Sequence, residues 1–219
     1  MTTIPHVKVI VPVYNQEIWD RSLARACYTT MSNVAWQFNH SLAVNICTII
    51  EEGRNAGVTG DTKEDCDATY RILDKKYSHF LFLDSDIGFT GTMVNKLLMH
   101  DVDIVSGAYR PKNDPYHFVA GWLDSNGRIT RRATPNEGPD DNHNLIRVDW
   151  AGGGFMLVKR EALEKCRYPW FWKSVVYLSN RSMCIGEDVF ACMNAKESGF
   201  QVWLDRSVIL NHEGNRHTK

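Results

Sequence analysis

Residues 79–89 read HFLFLDSDIGF, an apolar run that breaks off at a pair of aspartates, Asp84 and Asp86. The run predicts a short buried strand, and the carboxylates mark where the chain leaves the sheet. Toward the N-terminus, the β-branched run Val7 to Val13 predicts another buried strand, opening into a loop at Pro12-Val13-Tyr14-Asn15. Between the two, Arg21 to Phe38 carries a helical stripe of Leu23, Ala26, Cys27, Met31 and Val34. Leu42 to Ile50 is strand-like, and Glu51 to Lys76 is polar with helical propensity, interrupted near Gly57-Val58-Thr59-Gly60-Asp61. Past the aspartates, Met93 to Met99 predicts a short helix and Asp103 to Ser106 a further buried strand. Strand and helix in alternation predict an α/β fold with a mainly parallel central sheet flanked by helices. Ligands bind such sheets beyond the carboxyl ends of the strands. Tyr14-Asn15 and Asp84-Ser85-Asp86 both fall at that edge.

The second half is more irregular. Val119 to Thr130 predicts a hairpin about Asp124-Ser125-Asn126-Gly127. Residues 133–144 form a loop dense in Pro, Asn, Asp and Gly. Ala151-Gly152-Gly153-Gly154 precedes a strand, Phe155 to Val158, and a helix, Arg160 to Lys165. Gly186-Glu187-Asp188 opens a helix that Gly199 stops. Two short strands, Gln201 to Leu204 and Val208 to Leu210, come before His212.

At 219 residues the chain has the length of one domain, and a domain of that size buries about 70% of its unfolded surface without a disulfide or metal staple. A net charge of −1 argues against nucleic acid or an anionic membrane as a partner held by bulk charge. Six cysteines with no C-x-x-C pair predict reduced thiols, two of which, Cys27 and Cys192, lie in apolar segments. No secretory signal and no transmembrane-length apolar run stand in the sequence, so a soluble, cytoplasmic protein is expected.

Each chemical motif has a plain alternative. Asp84 and Asp86 leaving a strand need a counter-charge, which a hard divalent cation supplies, although Asp is also a common turn and cap residue. Glu187-Asp188 suits a carboxylate that takes a proton from a hydroxyl, or an acidic helix start complementing the macrodipole. His212 suits Mn²⁺ beside carboxylates, or a plain surface role. The three glycines precede a strand, which argues against a dinucleotide-binding turn, and leave close ligand approach or loop filler. Arg54-Asn55 suits phosphate, with a solvated helix face as its default. Arg110-Pro111-Lys112 is placed to face a diphosphate. Tyr168-Pro169-Trp170-Phe171-Trp172 is core, lid or a sugar-stacking surface.

VKVIVPVYN at 7–15, FLFLDSDIGF at 80–89, DIVSGAYRPK at 103–112, AGGGFMLVKRE at 151–161 and GEDVFACMNAKESGFQVWLDRSVILNHEG at 186–214 together resemble a glycosyltransferase of the GT-A fold. The similarity is to the compact family-2-like enzymes of bacteriophages and bacteria. The resemblance implies a Rossmann-like single domain over 1–219, with a nucleotide-binding half to about residue 112 and an acceptor and catalytic half beyond it. It implies Mn²⁺ or Mg²⁺ held by Asp86 and His212, with Asp84 on the cation through water or on the ribose. Pro12, Val13, Tyr14 and Asn15 would line the base and ribose, Arg54 the uracil or diphosphate, with Ser85, Gly153 and Gly154 nearby. Asp188 would be the general base of an inverting transfer and Glu187 an acceptor or sugar-hydroxyl contact, or the two with roles exchanged. The implied activity is transfer of a hexose from a UDP-sugar, UDP-glucose or UDP-galactose by frequency, to a hydroxyl acceptor, in the host cytoplasm if phage-encoded. Retaining transfer, nucleotide-sugar hydrolysis and a non-catalytic carbohydrate-binding role are the alternatives.

Overall fold

A computed structural model describes residues 4–31, 38–58, 76–136, 144–178 and 181–213. Its centre is a seven-stranded sheet. The strands are β1 (His6–Val13), β2 (Asn39–Ile46), β3 (His79–Leu83), β5 (Ile104–Ala108), β8 (Leu145–Val148), β10 (Phe155–Lys159) and β13 (Val202–Ile209). Their spatial order is β2-β1-β3-β10-β5-β13-β8. The pairings β1·β2, β1·β3 and β13·β5 are parallel, while β10 and β8 run against their neighbours. Strands from both sides of residue 112 therefore share one sheet.

Successive side chains of a strand point to opposite faces, and here both faces are covered. Val7, Val9, Val11, Leu81, Leu83, Phe155 and Leu157 pack on one side with Trp19 of α1 (Gln16–Asp20), Ala24 of α2 (Leu23–Met31), and Val94 and Leu97 of α4 (Gly91–Met99). Ile10, Phe80, Phe82, Met156 and Val158 pack on the other. They meet Val58 of α3 (Ile50–Val58), Leu163 of α5 (Arg160–Lys165), and Val189 and Cys192 of α6 (Glu187–Glu197). The apolar run Phe80 to Leu83 is continuous because β3 lies inside this sandwich, covered on both faces.

Several boundaries depart from the sequence pattern. The stripe from Arg21 to Phe38 forms helix only as α2 within the described residues, since 32–37 lie outside them, and Phe38 already leads into β2. Strand β2 ends at Ile46, so Ile49 lies in the connection to α3 and Ile50 begins that helix, and neither belongs to an apolar strand. Residues 59–75, including the expected break at 59–61, lie outside the described residues. The two terminal strands are one strand, β13, whose register against β5 shifts between Asp205 and Ile209. Asp205 holds that bulge: its Oδ1 accepts from the Ser207 amide and hydroxyl, both at 2.7 Å, and its Oδ2 lies 2.7 Å from His100 Nε2.

Smaller elements complete the chain. The expected hairpin is β6 (Ala120–Leu123) with β7 (Ile129–Arg132), turning through Gly127 at φ +78°, and β9 (Trp150–Ala151) joins it. A hairpin of β11 (Ser174–Leu178) and β12 (Arg181–Ile185), without a clear signal in the sequence, delivers the chain to α6. Finally β4 (Ile87–Gly88) pairs antiparallel with β14 (Asn211–His212), tying the tail back to the aspartates. Among the described residues no helix is long and apolar enough to cross a membrane.

Candidate active site

Every parallel strand of the sheet ends at the same edge, and the antiparallel β10 begins there. Tyr14 follows β1, Cys47 follows β2, Asp84 follows β3 and Tyr109 follows β5, while Gly152 to Gly154 lead into β10. The predicted residues therefore arrive together for a topological reason.

Arg54 is the hub. Its guanidinium donates to Asp84 Oδ1 at 2.7 Å and to Glu187 Oε1 at 3.1 Å, joining the end of β3 to the start of α6. It lies over the Phe171 ring at 5.3 Å and is only 2% exposed, which corrects the expectation of a solvated helix face. Neighbouring Asn55 is buried too, and exchanges two hydrogen bonds with the Phe171 backbone. Burial works against the Arg54 charge, but Asp84, Glu187 and Asp188 outweigh it and hold the guanidinium firmly protonated.

The glycine run is close packing, not filler. A Cβ on Gly153 would sit 2.8 Å from Arg54 Cζ. The Gly154 amide donates to the Tyr109 hydroxyl oxygen at 3.0 Å, and its carbonyl accepts the Asp84 amide, also at 3.0 Å. A Cβ on Gly152 would collide with that same phenol oxygen and approach Val119 Cγ1 to 2.7 Å. Gly152→Ala should accordingly overpack the site and lower the melting temperature by about 5 °C, read by circular dichroism. A variant that melts with the parent would refute the close packing.

Asp86 belongs to a second cluster. Its Oδ2 lies 3.3 Å from His212 Nε2 and 2.7 Å from Lys112 Nζ. His212 reaches it because β14 pairs with β4, placing His212 opposite Ile87, and the Glu213 amide donates to the Asp86 carbonyl at 2.8 Å. His212 Nδ1 donates to the Arg110 carbonyl at 2.8 Å, which orients Nε2 toward the carboxylate. Burial pushes the Asp86 carboxyl up, but His212 and Lys112 override it and bring it to about 2. The hydrogen bond to Asp86 in turn raises His212.

One carboxylate and one imidazole whose far nitrogen is tied to a carbonyl form a donor pair suited to Mn²⁺ or Mg²⁺, with phosphate oxygens completing the shell. Asp84 does not join them as the side chains stand, because its Oδ1 is engaged by Arg54. Among the described residues no three His, Cys, Asp or Glu side chains form a ready metal cluster.

Asp188 differs from its neighbours. It makes no ion pair among the described residues, and its Oδ1 accepts only the adjacent Val189 amide at 2.8 Å. Burial, reinforced by Glu187 and Asp84 and opposed by Arg54, raises its carboxyl above the ordinary 3.8. Tyr109, which sequence reasoning passed over, is buried against this cluster. Burial and the charges of Asp84 and Asp188 raise its phenol, so its O–H stays a donor. Its position directly after β5 was the available signal.

The remaining predicted residues divide. Tyr14, 56% exposed, lines a pocket of about 480 Å³ with Asn45, Cys47, Thr48, Glu52 and Gly53. Asn15 is spent capping α1, accepting the Ile18 amide at 2.8 Å. Pro12 and Val13 are buried, Pro12 against Gly53 of that pocket. Ser85 contributes a backbone carbonyl to the Ala24 amide at 3.1 Å. Of the aromatic run, Trp170 and Phe171 are core, whereas Trp172 is exposed.

No family model matches this sequence, and no curated protein is significantly similar to it. The likeness is structural. A197 from STIV superposes with a TM-score of 0.55 at 15% identity, over 99% of this chain and 97% of that one. GalNAc-T7, solved with UDP, GalNAc and Mn²⁺, gives 0.53 at 11% identity, over 98% of this chain and 45% of the other. The catalytic domain of Drosophila β1,4-galactosyltransferase 7, in complex with xylobiose, gives 0.50 at 15% identity, over 99% and 74%. The chain therefore has a GT-A-like α/β fold.

Proposed function

We propose that this protein is a GT-A-type glycosyltransferase that moves a hexose from a UDP-sugar to a hydroxyl acceptor. The observation that carries the proposal is the meeting of Asp86 and His212, 126 residues apart in sequence, within 3.3 Å at the sheet edge where Arg54, Asp84, Glu187 and Asp188 also gather. A fold shared with GalNAc-T7, a protein solved with UDP and Mn²⁺, supports it.

In this proposal Asp86 and His212 hold Mn²⁺ or Mg²⁺. When bound there, the cation supplies positive charge that stabilises the departing diphosphate. The pocket beside Tyr14 takes the nucleoside. Arg54 fixes Glu187 so that it faces the cleft as a hydroxyl contact. Asp188, without an ion pair among the described residues, takes the proton of the acceptor hydroxyl as that oxygen attacks the sugar carbon. Its raised carboxyl is closer to the operating pH than an ordinary aspartate, which suits a base. With the hydroxyl attacking from the face opposite the departing diphosphate, the sugar carbon is inverted.

The test is calorimetric. UDP should bind in the presence of Mn²⁺ and weaken at least about tenfold when EDTA removes it, since Arg54 and Lys112 are already engaged by Asp84 and Asp86 and leave little positive charge for a diphosphate. Equal UDP affinity with and without chelator would overturn the cation role. A screen of UDP-sugars beginning with UDP-glucose and UDP-galactose, reading released UDP with and without acceptors, then separates transfer from hydrolysis.

A further inference from the structure

The two aspartates of Asp84-Ser85-Asp86 have counter-ions of opposite character. Asp84 is paired with Arg54, whose side chain is 3% exposed, packed under Gly153 and over Phe171. That guanidinium has nowhere to go. Asp86 is paired with Lys112, whose side chain is 48% exposed on the segment that follows β5. A lysine ammonium on a flexible four-carbon stem leaves a carboxylate readily, and a half-exposed pair of this kind is worth little.

The position of the contact matters. Lys112 Nζ and His212 Nε2 meet the same oxygen, Asp86 Oδ2, at 2.7 and 3.3 Å. Two residues before Lys112, the Arg110 carbonyl holds His212 Nδ1. The segment 110–112 thus both aims the imidazole and places a positive charge on the carboxylate oxygen beside it. A divalent cation taken up between Asp86 and His212 would meet that ammonium at close range, and like charges there repel.

We propose that Lys112 is a resident, exchangeable counter-ion of Asp86: a divalent cation displaces its ammonium, which then contacts the diphosphate of the donor. The inference rests on the cation site proposed above and adds a role for a residue outside it. Before the donor binds, Lys112 keeps Asp86 neutralised and lowers its affinity for free metal. After the metal enters, the ammonium stays tethered at the sheet edge, where the diphosphate carries the charge it has lost. Lys112 therefore disfavours metal alone and favours metal together with nucleotide, so that the two bind as a pair.

The experiment is calorimetry on the full chain, titrating Mn²⁺ without nucleotide and UDP at saturating Mn²⁺, for the parent, Lys112→Met and Lys112→Gln. Because the side chain is half exposed, both variants should keep the parental melting temperature. Each should bind Mn²⁺ about fivefold more tightly and UDP about fivefold more weakly, the scale of a half-exposed ion pair. The opposite signs are the signature, because a merely structural lysine would weaken both. Mn²⁺ affinity equal to or below the parent's in both variants overturns the exchange while leaving the cation site standing. Unchanged UDP affinity overturns the hand-over to the diphosphate. Absence of Mn²⁺ binding in all three proteins, with and without UDP, overturns the cation site and this proposal together. Mn²⁺ binding that emerges only in the Lys112 variants supports the exchange in its strongest form.

Discussion

Arg54→Met should lower the melting temperature by about 10 °C, the consequence of losing about 3–5 kcal/mol when a buried ion pair forfeits one partner in a domain of this size. The methionine fills much of the same volume against Phe171 and Gly153, so the loss is one of charge. Asp84 and Glu187 would face each other and Asp188 without the guanidinium that joins them. Three carboxylates in one partly buried cluster cannot all stay ionised, and the start of α6 would move away from the end of β3. Arg54→Lys should recover part of the stability but not the geometry, because one ammonium cannot reach two carboxylates as a fork does. Thermal melts of the three proteins check this. Parental stability in the methionine variant would mean that the pairs observed at 2.7 and 3.1 Å contribute nothing.

Asp188→Asn should reduce the rate of transfer by about 10²–10⁴, the span associated with a positioned general base, with UDP affinity nearly unchanged. The same substitution should not destabilise the protein. The amide keeps an oxygen to accept the Val189 amide at the same place. The native carboxylate is penalised by burial and by Glu187 and Asp84, so its carboxyl lies higher in the folded chain than in the unfolded one. A carboxyl shifted upward opposes folding only when ionised. The penalty is absent below the ordinary value of 3.8 and grows as pH rises through the folded value, so the asparagine variant should gain relative stability from acid to neutral pH. Transfer by the parent should also have an acidic limb above 3.8, and that limb should vanish in the variant's residual activity. Full activity in Asp188→Asn would put the base elsewhere; a stability loss at neutral pH would mean the carboxylate is held by a favourable contact.

Much of the architecture was legible because hydrophobic periodicity is a local property. The strands at 7–13, 79–83 and 155–158 and the helix after Gly186 are each announced by their own residues, since both faces of the sheet are covered and central strands must be apolar throughout. The elements that eluded sequence reasoning are those whose apolar content is shared with distant partners. The hairpin β11·β12 leaves Val175 and Tyr177 exposed, and β8 is an edge strand with alternating burial. The continuous β13 looked like two strands because Arg206 and Ser207 interrupt its pattern, whereas the bulge that accommodates them is held by Asp205 and His100.

The site divides along the same line. From sequence alone came the α/β class, the edge at which a ligand would lie, and the carboxylates, imidazole and glycines that gather there, because residue type and strand ends are written locally. Only the tertiary structure decided which charge meets which. Arg54 became a buried hub and not a surface residue, Asp84 turned to it, Asp86 turned to His212 and Lys112, and Asp188 was left without an ion pair among the described residues. Charge pairing depends on side chains drawn from α3, β3, α6 and the tail arriving within about 4 Å of one another, and at such range the strength of each pair is set by burial that no single segment controls.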